Sequence, residues 1–479
     1  MRRIGNTDRI VIIGGGISGL SSAFYLQREA ERQGRSVQLT IVDGAEALGG
    51  KINTLQRDGF VIEKGPDSFL ARKLAMYNLA KELGIEGELT TTNPNAKKTY
   101  ILHENKLHPM PPGLVLGVPT EIEPFLESEL LTEEGKRRAL QDLELPPREG
   151  MEDESLGGFI VRRVGDEIMK RISEPLLAGI YAGDLHKLSL KATFPQFAQA
   201  EREHGSLIRG MQENRKAGAQ AGSLPPEAKG GVFLTFTGGL STMVNALDAA
   251  LSSADRKLGT KVVEIVKGAE EADARYEVVL ENGESLPADY IVMTAPAFNA
   301  ADLLEPLVDC RELRSIQYVS VANVVMAFDK ETFGLDFDGS GFVIPRSEGT
   351  SITACTWTSS KWVHTSPGDK VLLRCYVGRA GDEAGAFLPD EELKAAVRAD
   401  INKTMGITAE PIFTEITRLH HSMPQYPVGH VENIACFRER MDKELPGIWV
   451  TGAAFDGVGL PDCIRQGKEG ALRLLHNGK

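Results

Sequence analysis

Basic residues are in deficit: Lys and Arg total 54 against 67 Asp and Glu, a formal net charge of −13. Binding nucleic acid through its phosphates needs a basic footprint, so no nucleic-acid partner is expected. An acidic chain cannot steer an anionic substrate from afar either; any such substrate must be gripped locally. Cysteine is scarce: Cys310, Cys355, Cys375, Cys436 and Cys463 are the whole set, with no Cys-x-x-Cys spacing. That excludes a zinc framework and fits a reducing compartment. Among nine histidines the adjacent pair His420-His421 is expected to cap or pack near Pro424, and no metal is expected. No run approaches the ~18 apolar residues of a membrane span. Met1-Arg2-Arg3 before the apolar Ile10–Leu26 stretch has the look of an export signal, but Asp8 interrupts it and the glycines inside have a better explanation. The cytoplasm is the expected location.

Glycine, in contrast, is plentiful, with 50 in 479 residues, as where loops wrap a cofactor. The length predicts two or three domains, and 42% hydrophobic with 25% charged residues is a globular mixture. Arg9–Ile13, Ser18–Gln33 and Val37–Val42 read as a strand–helix–strand unit, with a further helix at Leu74–Leu83. A hairpin is predicted at Tyr100–Leu107, followed by helices at Glu123–Leu131, Glu133–Leu143, Ser155–Val164, Asp166–Ala178 and Pro195–Met211. Strand character then dominates from Val232 to Arg418, before a last strand at Ile448–Thr451 and a helix from Pro461 to His476. The expected division is a discontinuous nucleotide domain (1–94, 231–300, 435–479), a mainly helical lobe (95–212), a flexible connection (213–230) and a substrate domain (301–434).

The chemistry is written in three glycine clusters. Gly14-Gly15-Gly16-Ile17-Ser18-Gly19 follows an apolar strand and opens a helix. Gly14 permits the tight turn, Gly16 lets the backbone approach a pyrophosphate, and Gly19 allows close helix–strand packing. The phosphates would lie on the helix N-terminus. Asp43 ends the next strand, where a carboxylate accepts ribose hydroxyls or is simply a solvated strand end. Gly49-Gly50-Lys51 then offers a close approach beside a cation and resembles the stretch found in FAD-binding oxidases and reductases. Near the C-terminus, a strand ending at Gly452 leads through Gly457, Val458 and Gly459 to Leu460-Pro461-Asp462. Such a helix N-terminus would stabilise the negative charge that a flavin acquires near N1 on reduction. Val262 either pairs its backbone with an adenine edge or is an ordinary strand residue. FAD is the expected cofactor.

Longer segments carry a family resemblance. Arg57-Asp58-Gly59-Phe60 with Glu63-Lys64-Gly65-Pro66-Asp67-Ser68-Phe69 resembles the flavin-adjacent segment of the protoporphyrinogen and coproporphyrinogen oxidases. So do Leu107-His108-Pro109-Met110-Pro111, Arg163-Val164-Gly165-Asp166-Glu167 and Gly179-Ile180-Tyr181-Ala182-Gly183-Asp184. Ser189-Leu190 with Thr193-Phe194-Pro195, Met423-Pro424-Gln425-Tyr426 with Gly429-His430, and Gly457–Cys463 extend the match over nearly the whole chain. It is nearest to the Gram-positive branch that makes coproporphyrin III. The resemblance implies an α/β fold in the p-hydroxybenzoate-hydroxylase-like arrangement: a Rossmann-like FAD-binding domain, a mixed-sheet substrate domain and a helical lobe. It implies oxidation of a porphyrinogen by O2 in heme biosynthesis, with three hydride transfers to flavin N5 and H2O2 released each time. No side chain need be a base, since pyrrole N–H protons can pass to water. Gly65, Pro66, Asp67 and Ser68 would then border the flavin.

A coproporphyrinogen carries four propionates, so cations are expected near the cleft. Arg72 and Lys73 stand first by position and Lys97-Lys98 next. At about Lys98 membrane-bound relatives carry an arginine that holds a propionate, a grip lysine cannot reproduce. Each basic pair can equally be a solvated face, and Arg162-Arg163 is expected to be one. Tyr376, Tyr181 and Phe194 are flat walls of the cleft or core residues. Pro111–Pro119 is a weak membrane-surface contact, a buried loop or the mouth of a channel. Handover of product to a ferrochelatase is a further expectation. Three alternatives stay open: protoporphyrinogen IX as substrate, an amine oxidase or carotenoid desaturase, and a non-catalytic GDP-dissociation-inhibitor-like binding protein.

Overall fold

The computed structural model describes residues 7–220, 231–269 and 273–476. Five parallel strands form the nucleotide-side sheet: β1 (Asp8–Ile13), β2 (Val37–Asp43), β3 (Asp255–Leu258), β4 (Tyr290–Met293) and β5 (Ile448–Val450), in the order β3-β2-β1-β4-β5. Ile10–Ile13 and Tyr290–Met293 are apolar without alternation because both faces of the sheet are covered. On one face lie α1 (Ile17–Arg32) and the last helix, α2 (Leu460–His476), which share a core with Ile10, Ile12 and Ile41. On the other, Val11 and Ile13 meet an antiparallel three-stranded sheet (Val262–Lys267, Tyr276–Leu280, Ser285–Ala288) and the helices Ala297–Leu304 and His430–Glu444.

The second large sheet has seven strands, in the order Phe413–Pro424, Tyr318–Asp329, Lys370–Val377, Ile352–Trp357, Gly339–Val343, Lys98–His103 and Lys106–Pro109. Every pairing is antiparallel except Gly339–Val343 with Lys98–His103. The hairpin that opens the 95–212 region is thus part of this sheet and not of the helices. One face, with Leu373, Cys375 and Val377, packs on the helix Asp390–Met405; the other, with Arg374 and Tyr376, is turned toward the nucleotide side.

Helices between Ile122 and Gln220 enclose a separate apolar core that includes Phe125, Phe159, Ile172, Tyr181, Phe194 and Phe197. Several expectations need correction here. The helix expected over Pro195–Met211 is two, Pro195–His204 and Leu207–Gln220, divided at Gly205, whose left-handed φ of 69° closes the first. The connection expected from residue 213 is helical through Gln220, and 221–230 lies outside the described residues. Arg163 is no solvated face: it is 1% exposed, its guanidinium paired with Asp142 and donating to the carbonyls of Pro146 and Gly205. A buried cation needs such satisfaction. The Pro111–Pro119 loop is a small hairpin whose Leu114, Val115 and Leu116 pack on the lobe core, with Val118 buried. His420 stacks on Phe387 at 4.8 Å, and the His421 amide donates to Ser320. No helix among the described residues is long and apolar enough to cross a membrane.

Candidate functional site

The loop between β1 and α1 is built by close approach. A Cβ on Gly19 would fall 1.8 Å from the Gly14 carbonyl oxygen, so only glycine lets α1 sit this near β1. Gly14 adopts φ 110°, and its amide donates to Val42 O of β2 at 2.8 Å. Gly16 is different. A Cβ there would meet nothing nearer than Gly50 Cα at 3.9 Å. It faces open space at the head of a helix with no side-chain cap and no acid in its first turn. The amides of Ile17 and Ser18 thus open a helix end that a Ser or Asp cap would ordinarily satisfy, as an anion-binding terminus requires.

Gly49 donates to Gly15 O at 2.9 Å, which lays the diglycine beside the first loop. Lys51 follows, its ammonium donating to Ser422 O. Lys51 is exposed by surface area, but the protein packed around its ammonium strips away part of its hydration and lowers its pKa. A Cβ on Gly65 would lie 1.7 Å from Lys51 O, so the Gly65–Ser68 segment is pressed directly against the diglycine loop. From the seven-stranded sheet, Arg374 donates to Gly65 O and Asn323 to Lys64 O at 3.0 Å. Burial works to raise the Asp67 carboxyl, but Lys361 at 3.2 Å and Arg374 outweigh it and hold it below the usual range. Ser68 donates to Asp67 at 2.6 Å, and Pro66 is half-buried beside it.

At the opposite wall, Gly452 (φ 127°) turns the chain past Ser18, and Gly457 and Gly459 make room for the Asp462 side chain folded back over them. Among the described residues nothing accepts from the amides of Val458, Gly459 or Leu460. The buried hydroxyls of Thr451 and Ser422 likewise find no partner among the described residues. Asp43 takes the amides of Gly15 at 2.6 Å and Ala45 at 2.8 Å, and its backbone oxygen accepts from Thr260, two residues before Val262. Val262 is half-buried at the start of its strand, opposite Leu280.

The basic residues picked out by position are mostly engaged. Lys73 pairs with Asp462 at 2.5 Å, and Lys98 with Asp338 at 2.6 Å at the exposed end of its strand. Arg72 is exposed and has no ion pair among the described residues. Tyr376 is half-buried, its hydroxyl 3.4 Å from Thr356 and its ring 5.0 Å from the Arg374 guanidinium. Tyr181 and Phe194 pack in the lobe core. The sequence pattern did not single out Arg374, Asn323, Lys361 or Ser422. Arg374 left one signal: the single charge in the apolar run Val371–Val377, two residues before Tyr376 and so on the same face.

Two free helix ends, a glycine cradle that a methyl group would fill, and unpartnered buried hydroxyls together fit an extended, anionic dinucleotide. Residues 17–475 match the family of flavin-containing amine oxidoreductases. The chain belongs to that family. FAD is its cofactor, and the cradle just described fits one. The chain is 45% identical to the coproporphyrinogen III oxidase of Bacillus subtilis (strain 168) over 459 residues, 96% of each chain. It is 39% identical to the Staphylococcus aureus coproporphyrinogen III oxidase, covering 98% of this chain and 99% of that one. A crystal structure from Exiguobacterium sp. 255-15, provisionally named a protoporphyrinogen oxidase, superposes with a TM-score of 0.87 at 36% identity, covering 98% of this chain and 99% of that one.

Proposed function

We propose that this protein oxidises coproporphyrinogen III to coproporphyrin III in heme biosynthesis, consuming three O2 and releasing three H2O2 for the six electrons removed. The observation that carries the reading is the near-full-length likeness to the Bacillus subtilis enzyme. FAD, when bound, supplies the chemistry by accepting a hydride at N5 and passing the electron pair to O2. The protein's part is to bind, orient and exclude water. Gly14–Gly19 and the head of α1 hold the pyrophosphate, and Asp43 and Val262 the adenosine end. Gly49, Gly50, Lys51 and Gly65–Ser68 border the ring on one side, with Gly452 and the Val458–Leu460 amides on the other. Arg72 meets a propionate, Lys73 assists from its pairing with Asp462, Lys98 reaches the cleft edge, and Tyr376 forms a flat wall.

The reading includes a cytoplasmic location, a weak membrane-surface contact and transfer of product to a ferrochelatase. Anaerobic mixing with coproporphyrinogen III is expected to bleach the yellow enzyme, and admission of air to give porphyrin fluorescence. Bleaching by a polyamine but not by the porphyrinogen would overturn the proposal. The name of the Exiguobacterium structure favours a second reading, protoporphyrinogen IX. Relative kcat/KM for the two porphyrinogens decides between them.

A further inference from the structure

The segment Met423–His430 carries no cofactor motif, yet it joins all three bodies of the molecule. Its start belongs to the seven-stranded sheet, and the Gln425 amide donates to Gln317 O at 2.8 Å. The Gln425 side chain donates to Tyr181 O at 2.8 Å, the Tyr426 carbonyl accepts from Ser189 at 2.8 Å, and the Gly429 amide donates to Asp153 at 2.8 Å, all in the helical lobe. The Tyr426 side chain reaches the third body. Its ring is 0% exposed; its hydroxyl donates to Ala453 O at 2.5 Å and accepts from the Gly457 amide at 3.1 Å. One phenol therefore closes the two ends of the Ala453–Gly457 loop that leads to Val458, Gly459 and Leu460.

His430 braces the phenol. Its ring stacks on Tyr426 with centroids 4.3 Å apart and planes 14° from parallel. Its Nε2–H donates to Phe455 O at 2.9 Å, in the middle of the same loop, which fixes the tautomer. Burial pushes the Tyr426 phenol up and the His430 imidazole down, so both are neutral and the phenol remains a donor.

We infer that Tyr426, backed by His430, is a positioning residue that aims the free amides of Val458, Gly459 and Leu460 at the flavin, and so sets both how tightly FAD is held and how readily it is reduced. The inference rests on the FAD reading. A loop of this length without its closure would sample other directions, and amides that must act on developing charge lose their effect when they are not preorganised. Because the same segment is bonded to the substrate sheet and to the lobe, the flavin environment is tied to both.

The test uses the purified holoenzyme and the variants Tyr426→Phe, His430→Phe and His430→Gln. Tyr426→Phe keeps the ring and removes only the closure; it is expected to weaken FAD binding about tenfold and to move the flavin midpoint potential, read by dye equilibration, to a more negative value. His430→Phe is expected to move the potential the same way, and His430→Gln, which retains a donor for Phe455 O, to restore part of it. A purely packing role would lower the melting temperature and leave the potential unmoved, and that result in either phenylalanine variant overturns the inference. Wild-type enzyme that yields no flavin on denaturation would instead sink the FAD reading itself, so the two failures are distinct.

Discussion

Replacing Gly16 by alanine separates what the glycine loop does for the fold from what it does for the cofactor. Gly16 has φ −75° and ψ −179°, a conformation alanine adopts freely. The added methyl would meet Gly50 Cα at 3.9 Å and Gly49 O at 4.0 Å, ordinary contacts. The apoprotein should therefore lose nothing, and gain up to about 0.5 kcal/mol from the stiffer unfolded chain. In the proposed binding mode the methyl would occupy the space through which a pyrophosphate reaches the amides of α1. Giving up about two charge-assisted hydrogen bonds costs roughly 3–4 kcal/mol, a loss of about 10²–10³-fold in FAD affinity. Flavin fluorescence titration of apoprotein, beside a thermal melt of the same sample, reads both quantities. Gly19→Ala is the contrasting case: its methyl would sit 1.8 Å from Gly14 O, so helix and strand must part and both melt and affinity should suffer. If Gly16→Ala binds FAD as tightly as the parent, or if its apoprotein melts as early as that of Gly19→Ala, the assignment of the open cradle to the pyrophosphate is wrong.

Burial pushes Glu63 up from 4.5 to about 7, so between those values the unfolded chain releases a proton that the folded chain keeps, and stability falls as pH rises. The loss is about 1.4 kcal/mol per unit, about 3 kcal/mol in all, and it levels off above the folded pKa. Glu63→Gln cannot titrate, so its stability relative to wild type should rise from pH 5 to pH 8 in urea denaturation; an offset independent of pH refutes this. Arg72→Ala should raise KM for coproporphyrinogen about fivefold with kcat unchanged, and the effect should shrink in high salt because the residue is exposed. Asp43→Asn keeps one acceptor for the two amides of Gly15 and Ala45 and turns a donor toward the other, so FAD affinity should fall about tenfold by fluorescence titration.

The parts of this structure legible in the sequence are those encoded by local backbone demands. The Gly14–Gly19 spacing, the diglycine and the junction before α2 each reflect a turn or close approach fixed by neighbours in the chain. Two long helices, Asp390–Met405 and His430–Glu444, were hidden because each buries only a thin line of side chains. The first buries Leu393, Val397 and Ile401, and the second His430, Ile434, Phe437 and Met441. The rest of each helix is largely charged, which dilutes the periodicity. A domain boundary at residue 434 would cut the second helix, whose Ile434, Phe437 and Met441 pack on the nucleotide side. Nor could adjacency in sequence disclose that Lys98 and Lys73 meet carboxylates 240 and 389 positions away. Such partners are supplied by topology alone.

The interleaving of the nucleotide-side sheet has a consequence for how the chain is made. β1 and β2 are made well before their neighbours: β4 joins β1 from residue 290 and β5 joins β4 from residue 448. The face of α1 that carries Ser18, Ser21, Ser22 and Tyr25 is covered by α2, where Gly467 lies against the three serines and Lys468 over the Tyr25 ring. Until that helix is made, this face of α1 is without its mate, and pairings this distant in sequence form slowly. A chain stopped before Leu460, and so lacking α2, should therefore yield aggregated, colourless protein, even with every residue of the first glycine loop in place.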